Sequence, residues 1–191
     1  MRQAPLTVRR WKRTEYDRLV ELGAFEDEPL ELIGGQLIVA EPKGAYHSSA
    51  VNVAEYALRA ALPAGWVVRT QQPVLLDEES EPEPDLAVVP GRPADYRDAH
   101  PAHIALAIEV ADSSLRFDRE HKGSLYARAG IEDYWIVNLV DRLLEVYRLP
   151  GAVPSALYGW HYRSAVSLAA PAVAGPLAFA SVRIAVSDLL P

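Results

Sequence analysis

The chain has 191 residues, 50% of them apolar and 24% charged, which suits a single soluble domain with a sizeable core. The sequence has no cysteine, which excludes disulfides, thiol nucleophiles and cysteine-based zinc sites, and its net charge of −7 argues against a broad basic surface for nucleic acid. No apolar stretch approaches the roughly 20 residues of a membrane span, and the basic N-terminus lacks the apolar segment of a secretory signal. We therefore expect a cytoplasmic protein that does not span a membrane.

The first half of the sequence predicts helices at the front and strands behind them. Gly23 ends the first apolar-periodic segment, and the pair Gly34-Gly35 suits the positive φ angles of a tight hairpin turn. Ser48 or Ser49 is the expected N-cap of the second helix. The predicted elements of this half are helices at 14–23 and 47–65, a hairpin at 30–42, and strands at 66–69 and 73–76.

The second half predicts strands on both sides of one helix. An acidic, proline-broken loop over residues 77–85 leads into it, and an Ala- and Pro-rich extension over 150–191 follows it. The predicted elements are strands at 85–89, 104–110, 133–138 and 142–149, a helix at 114–130, and strand-like pieces at 160–166 and 181–186. This order predicts an α/β fold with a mixed β-sheet flanked by helices, formed by residues 1–191 as one domain.

Two carboxylates occupy strand positions where an isolated charge is expensive to bury. Asp85 follows Pro84 at the start of "DLAVV", and Glu109 lies within "IALAIEV". If the two strands are neighbours, side-chain alternation brings both acids to one face at adjacent strand ends. Two such acids require a proton or a cation between them, and oxygen ligands suit Mg²⁺ or Mn²⁺. The alternative is that Asp85 only ends the acidic loop and Glu109 pairs with an arginine of the next helix.

The helix after Glu109 carries a third candidate group. Asp118, Lys122 and Tyr126 are spaced four residues apart and share one face of the helix. Because the helix starts soon after Glu109, Lys122 can point its ammonium at whatever the two acids hold. A lysine there can orient a metal-bound water or stabilise charge developing on a phosphate. The alternative is an ordinary surface pair between Asp118 and Lys122.

Five segments together resemble one known family. They are "LELIGGQLIVAEP", "EPDLAVV", "IEV", "FDREHKGSLYARAGIEDYWIVN" and "LLEVYRL". The chain resembles the Uma2 family (DUF820), described as restriction-endonuclease-like proteins with a PD-(D/E)XK nuclease fold, over about residues 14–149. The block over residues 118–138 is the most specific part of this resemblance. The resemblance implies a restriction-endonuclease-like mixed sheet, with an N-terminal helix and hairpin, and a metal-dependent phosphodiesterase site.

The resemblance also implies roles for individual residues. Pro84-Asp85 matches the PD element, and Glu109-Val110-Ala111 matches the (D/E)XK element, in which the backbone carbonyl of Val110 would be a further metal ligand. The lysine of that element is missing, because position 111 is alanine. The resemblance implies that the lysine comes from the following helix, where it corresponds to Lys122.

Three further positions, Glu31, His47 and Asp112, each have an alternative role. Glu31 matches a recurrent acid that would help to hold a second metal or a water, and the alternative for it is a salt bridge. His47 matches a recurrent histidine, which would otherwise only mark the start of a helix. Asp112 stands where family members tend to have serine, and we expect it to cap the following helix rather than to bind metal.

The leading interpretation is a Mg²⁺- or Mn²⁺-dependent nuclease that hydrolyses nucleic-acid phosphodiester bonds, with DNA as the expected substrate, and forms a homodimer. Asp85 and Glu109 would hold the metal, and Lys122 would position or activate the attacking water. Two alternatives stay open: an inactive homo-oligomeric module that binds nucleic acid or another partner, and a hydrolase of small phosphate esters. The acidic net charge and Ala111 motivate the first of these.

Overall fold

The computed structural model describes residues 7–26, 28–39 and 43–191. Its longer elements, in chain order, are α1 (Arg13–Glu21), β1 (Leu30–Ile33), β2 (Gln36–Val39), α2 (Ala45–Ala61), β3 (Trp66–Thr70), β4 (Leu86–Pro90), β5 (Leu106–Ala111), α3 (Leu115–Phe117), a π-helical turn (Asp118–Lys122), α4 (Gly123–Arg128), β6 (Asp133–Asn138), β7 (Leu143–Ala152) and β8 (Trp160–Leu168). Two short strands, β9 (Val173–Ala174) and β10 (Ile184–Ala185), and 3₁₀ turns at Pro93–Tyr96 and Val186–Leu189 complete it.

Six strands form the central sheet, in the order β3-β4-β5-β6-β7-β8. Strands β5 and β6 are parallel because α3, the π turn and α4 form a crossover between them, and the other neighbouring strands are antiparallel. The predicted mixed sheet flanked by helices is therefore confirmed.

Both faces of the sheet are covered, so the middle strands are buried along their whole length and are mostly apolar. Every residue of β5 and β6 is buried. One face packs against α2 and the C-terminal segment, which is the part of the chain after β8. The buried residues on this side include Leu58, Trp135 and Phe179. The other face packs against α4 through a cluster that includes Tyr126 and Tyr134. Side chains alternate along β5, which places Glu109 on the α4 side, opposite to its neighbours Ile108 and Val110.

The hairpin prediction is confirmed within the described residues. β1 and β2 pair antiparallel, and Gly34 and Gly35 adopt φ angles of 57° and 77° in the turn between them. Residues 40–42, the predicted end of this hairpin, lie outside the described residues. The hairpin places Glu31 on β1, close to the loop before Asp85.

The predicted strand at 73–76 is wrong. These residues are extended, but their backbone N–H groups donate to loop carbonyls instead of a sheet partner: Val74 to Pro82, Leu75 to Pro101 and Leu76 to Ser80. Carbonyls of the following loop and of Pro101 thus take the place of a neighbouring strand.

The bounds of two helices also differ from the prediction. Helix α2 begins at Ala45 with Gly44 as its N-cap, earlier than Ser48 or Ser49, and ends at Ala61. The end follows from Pro63, since the residue before a proline avoids helical angles, and Leu62 has a ψ of 142°. The predicted helix at 114–130 is interrupted by the π turn and ends at Arg128.

The C-terminal extension contributes more to the sheet than expected. Strand β7 continues to Ala152, and eight of the nine residues of β8, all in the extension, pair with it. The predicted strand at 181–186 shrinks to the two residues of β10. Among the described residues, none of the helices is both long enough and apolar enough to span a bilayer.

Candidate active site

Asp85 and Glu109 lie side by side on the α4 face of the sheet. Strands β4 and β5 pair with Leu86 opposite Ile108, so the next position outward places Asp85 opposite Glu109. The backbone N–H of Asp85 donates to Glu109 Oε2 (3.2 Å), and the N–H of Val110 donates to Asp85 Oδ2 (2.9 Å). Each acid is thus held by the backbone of the other strand, and both are almost inaccessible, with exposed fractions of 5% and 2%.

Lys122 points into this site from the π turn. Its Nζ lies 3.1 Å from Glu109 Oε1 and 3.3 Å from Glu31 Oε2, and the side chain is buried. The predicted convergence of Asp85, Glu109 and Lys122 is therefore present, and a lysine, not an arginine, pairs with Glu109. Glu31 joins the same group because the N–H of Glu83 fixes its carboxylate (3.0 Å).

The other two residues of the helix face also reach the site. Tyr126 donates its hydroxyl to Glu109 Oε1 at 2.7 Å. Asp118 is buried in the same cavity wall, with its carboxylate oxygen Oδ2 accepting from Ser114 Oγ (2.6 Å). The side chains of Asp118 and Lys122 are both buried, so these two residues do not form the surface pair that was the alternative.

Asp85 has a second set of partners on its outer side. Lys43 Nζ lies 2.7 Å from Asp85 Oδ1, Gln71 Nε2 donates to the same oxygen (3.3 Å), and His47 Nε2 donates to Oδ2 (3.2 Å). His47 thus contacts Asp85, and its role in a functional site stays a prediction. Lys43 was missed by the sequence reasoning, and its only signal is its position four residues before His47 at the start of α2.

Burial and neighbouring charges shift the ionisation of these groups in opposite directions. Burial raises the pKa of Glu109, and the nearby charges of Asp118 and Asp85 raise it further, although Lys122 opposes this. Burial also raises the pKa of Asp118. Burial disfavours the ammonium of Lys122, but the surrounding carboxylates outweigh it and raise the pKa of Lys122.

Asp85 is the acid that stays ionised most readily. Its burial favours the neutral form, yet the hydrogen bond from His47 and the charge of Lys43 hold the pKa of Asp85 well below its usual range. The site thus combines one firmly ionised carboxylate with two acids whose pKa is raised by burial. Such crowding of acids favours the binding of an additional cation.

The side chains present suit a hard divalent cation. Mg²⁺ typically uses only one or two protein carboxylates and keeps several waters, which two acids such as Asp85 and Glu109 can provide. Within residues 7–26, 28–39 and 43–191, no three or more His, Cys, Asp or Glu side chains are grouped so that they could hold a metal ion.

Two further predicted positions differ in how the structure places them. Val110 lies beside the two acids through its N–H, and the metal-binding role of its carbonyl stays a prediction. Asp112 does not cap the helix: the N-cap of α3 is Ser114, whose hydroxyl bonds Asp118, and Asp112 is an exposed residue that lines the cavity.

The mixed six-stranded sheet and the acids on two adjacent strands define a protein of the restriction-endonuclease-like fold class. The Uma2 family model, described as "Putative restriction endonuclease", matches residues 13–186, so the chain belongs to this family. The match extends beyond the predicted range of 14–149 and includes β8, a strand that the sequence reasoning assigned to the extension.

A solved structure has a similar fold. It is a crystal structure of "a putative nuclease belonging to DUF820" from Anabaena variabilis ATCC 29413, with 17% sequence identity and a TM-score of 0.59. The similarity covers 85% of this chain and 90% of that chain. No protein with a curated description matches the chain. Family and fold together support a nuclease type of function.

Proposed function

We propose that the protein is a divalent-metal-dependent nuclease that hydrolyses phosphodiester bonds at the cavity lined by Asp85, Glu109 and Lys122. The observation that carries this proposal is the position of Lys122 Nζ, 3.1 Å from Glu109 Oε1. The carboxylates of Glu109 and Asp85 are themselves fixed by hydrogen bonds from the backbone N–H groups of Asp85 and Val110. The family description and the nuclease-like fold support the same type of reaction.

Each side chain has a proposed role that follows from its contacts. Asp85 and Glu109, with the carbonyl of Val110, would hold Mg²⁺ or Mn²⁺, which would neutralise the phosphate and lower the pKa of a bound water. Lys122 would orient the attacking water or stabilise charge on the phosphate, since its ammonium is fixed between Glu109 and Glu31. Glu31 would position Lys122 and accept a hydrogen bond from the water.

The outer group of Asp85 would keep that carboxylate ionised. His47 and Lys43 lower the pKa of Asp85 through a hydrogen bond and a charge. Lys43 is also the more exposed of the two lysines, with 36% of its side chain accessible, so its ammonium can move to a substrate phosphate. Both residues would thus support binding, and neither would take part in the bond-breaking step.

Two substitutions separate metal binding from the chemical step. Asp85→Asn removes a ligand charge, so we expect it to abolish both Mn²⁺ binding in calorimetry and the hydrolysis of DNA. Lys122→Met removes only the positioning ammonium, so we expect Mn²⁺ to bind still while hydrolysis falls by about 100-fold or more. Asp98→Asn, an exposed residue away from the cavity, is the control and should change neither measurement.

The proposal is wrong if Mn²⁺ binds equally to the unaltered protein and to Asp85→Asn, or if hydrolysis survives both substitutions. Hydrolysis of nucleotides or other small phosphate esters, with no action on DNA or RNA, would favour the alternative function. Mn²⁺ binding with no hydrolysis of any substrate would point to a module without turnover.

We further propose a homodimer in the cytoplasm. Strand β8 is the last strand of the central sheet in the described part of the chain, and Val166 on it is 49% exposed. An edge strand with unpaired backbone groups is a natural surface for pairing with a second copy. Light scattering should give twice the monomer mass, and Val166→Lys should reduce it to one monomer; a monomeric unaltered protein contradicts this proposal.

A further inference from the structure

We propose that the active-site cavity selects an unpaired, single-stranded nucleic-acid segment, with a base stacked against Tyr46 and Phe117 at the mouth while its phosphate reaches the acids at the floor. This substrate class rests on the function proposed above and makes it more specific. It covers single strands of DNA or RNA, because both present the same bases and phosphates to the cavity.

The cavity is lined by two chemically different kinds of side chain. Its volume is about 360 Å³, within the range of pockets that hold small ligands, and its charged lining residues include Asp85, Glu109 and Lys122. Its apolar and aromatic lining residues are Ile38, Val39, Tyr46 and Phe117. A nucleotide has the matching division into a charged phosphate and a flat apolar base.

Exposure shows which of these side chains face solvent. The side chains of Asp85, Glu109 and Lys122 are only 3–7% exposed, whereas Tyr46 is 46% exposed and Phe117 is half-buried. The acids therefore form the floor and the rings form the mouth. A phosphate that reaches the floor must be carried by a chain narrow enough to enter past the rings.

Both rings are held in place by contacts of their own. The hydroxyl of Tyr46 accepts a hydrogen bond from Arg142 Nη1 (3.3 Å). Phe117 stacks on His121, with 4.7 Å between ring centroids and 21° between the ring planes. Held rings offer a stacking surface with little loss of side-chain entropy on binding, and stacking accepts any base.

A duplex meets two obstacles at this cavity. Its bases are stacked inside the helix, so a base can reach the rings only after it is flipped out, at a cost in unpairing and unstacking. Its affinity also depends on rows of cations along both backbones. Here the three arginines of the crossover helix are already paired with acids, Arg116 with Glu120, Arg119 with Glu145 and Arg128 with Asp77, and the net charge is −7.

Binding and hydrolysis together test the inference on the full chain. Fluorescence anisotropy in Ca²⁺ would compare a labelled 12-nucleotide single strand, as DNA and as RNA, with the matching duplex. We expect the single strands to bind roughly tenfold tighter than the duplex, and Tyr46→Ala or Phe117→Leu to weaken single-strand binding by about tenfold while duplex binding stays the same. Leucine at 117 retains apolar volume, so a folded variant still reports the loss of the ring.

Tyr56→Ala is the matched control. Tyr56 lies on the same helix as Tyr46, is 79% exposed and does not line the cavity, so its removal should leave both affinities unchanged. Equal binding of single strand and duplex, or an unchanged preference in both ring variants, overturns the inference. In that case hydrolysis that depends on Asp85 would still support the proposed function. A single-strand preference without any such hydrolysis would contradict the proposed function instead.

Discussion

Two buried acids outside the active site, Asp133 and Glu81, differ in how many hydrogen bonds their carboxylates accept. Asp133 is fully buried, and its carboxylate accepts from Trp135 Nε1 (2.9 Å), Arg148 Nε (2.8 Å) and the N–H of Leu177 (2.8 Å). Glu81 is also buried, but its Oε2 finds no hydrogen-bond partner within the described residues. Burial, with a contribution from Asp17, raises the pKa of Glu81 to about 7. Glu81 is therefore a site where ionisation opposes folding.

Glu81→Gln should stabilise the protein at neutral pH. Because the pKa of Glu81 is about 7 in the folded chain and 4.5 as a free group, its contribution to stability falls as the pH rises from about 4.5 to 7 and stays low above that. We expect the variant to gain on the order of 1–3 kcal/mol of unfolding free energy at pH 8, and little at pH 4.5. Urea unfolding at both pH values measures this.

Glu78→Gln is the control for this experiment. The side chain of Glu78 is 87% exposed in the same loop, so its replacement should change the unfolding free energy little at either pH. An equal effect of Glu81→Gln at pH 4.5 and pH 8 would show that packing, not ionisation, is responsible.

Hydrogen-bond donors from other elements bind the backbone carbonyls of the π turn in the crossover helix. In the turn over Asp118–Lys122, the N–H of Gly123 bonds the carbonyl of Asp118, five residues back. Tyr134 donates its hydroxyl to the same carbonyl (3.0 Å). His161 Nε2 donates to the carbonyl of Arg119 (3.0 Å), with Nδ1 accepting from the N–H of Tyr162. Strands β6 and β8 thus support the turn that carries Lys122.

Tyr134→Phe should destabilise the π turn without creating a cavity in the core. The substitution removes one buried hydrogen bond and leaves the ring in place, so we expect a loss of about 1 kcal/mol of unfolding free energy in urea titrations. Tyr56→Phe, at an exposed position, should cost nothing measurable. An unchanged stability in Tyr134→Phe would mean that the bond to Asp118 contributes nothing to the turn.

At the scale of the whole molecule, the C-terminal segment closes the second face of the sheet. Phe179 is buried and meets Trp66 edge-on, with 4.8 Å between ring centroids. The N–H of Leu177 is tied to the buried carboxylate of Asp133 on β6. The segment is therefore joined to the sheet by both apolar packing and a charge-assisted hydrogen bond.

Phe179→Ala should be strongly destabilising for this reason. Loss of a buried aromatic ring from a packed core typically costs about 3–5 kcal/mol, because a cavity remains. Leu177→Ala, two residues earlier and 48% exposed, should cost less than about 1 kcal/mol. Thermal and urea unfolding of the two variants would compare them, and equal losses would contradict the assigned packing.

The sequence alone predicted the elements whose signals are local. The hairpin turn at Gly34-Gly35 and the strand at 133–138 appear as expected, because turn chemistry and apolar runs are properties of neighbouring residues. The candidate acids Asp85 and Glu109 were also found, since a carboxylate at a buried strand position stands out against its neighbours. The strand at 73–76 failed because its apolar residues carry no sign that loop carbonyls, not a strand, would bind their N–H groups.

Only the tertiary structure decided how these parts meet. The direction of Lys122 depends on the π turn, which distant donors from Tyr134 and His161 support. The contact of Lys43 with Asp85 joins residues 42 positions apart, and β8 enters the sheet by pairing along β7. The sequence thus determined which residues carry charge, apolar surface and turn chemistry. Strand order, register and helix rotation determined which of them face one cavity, because those quantities are set by long-range packing that no local pattern records.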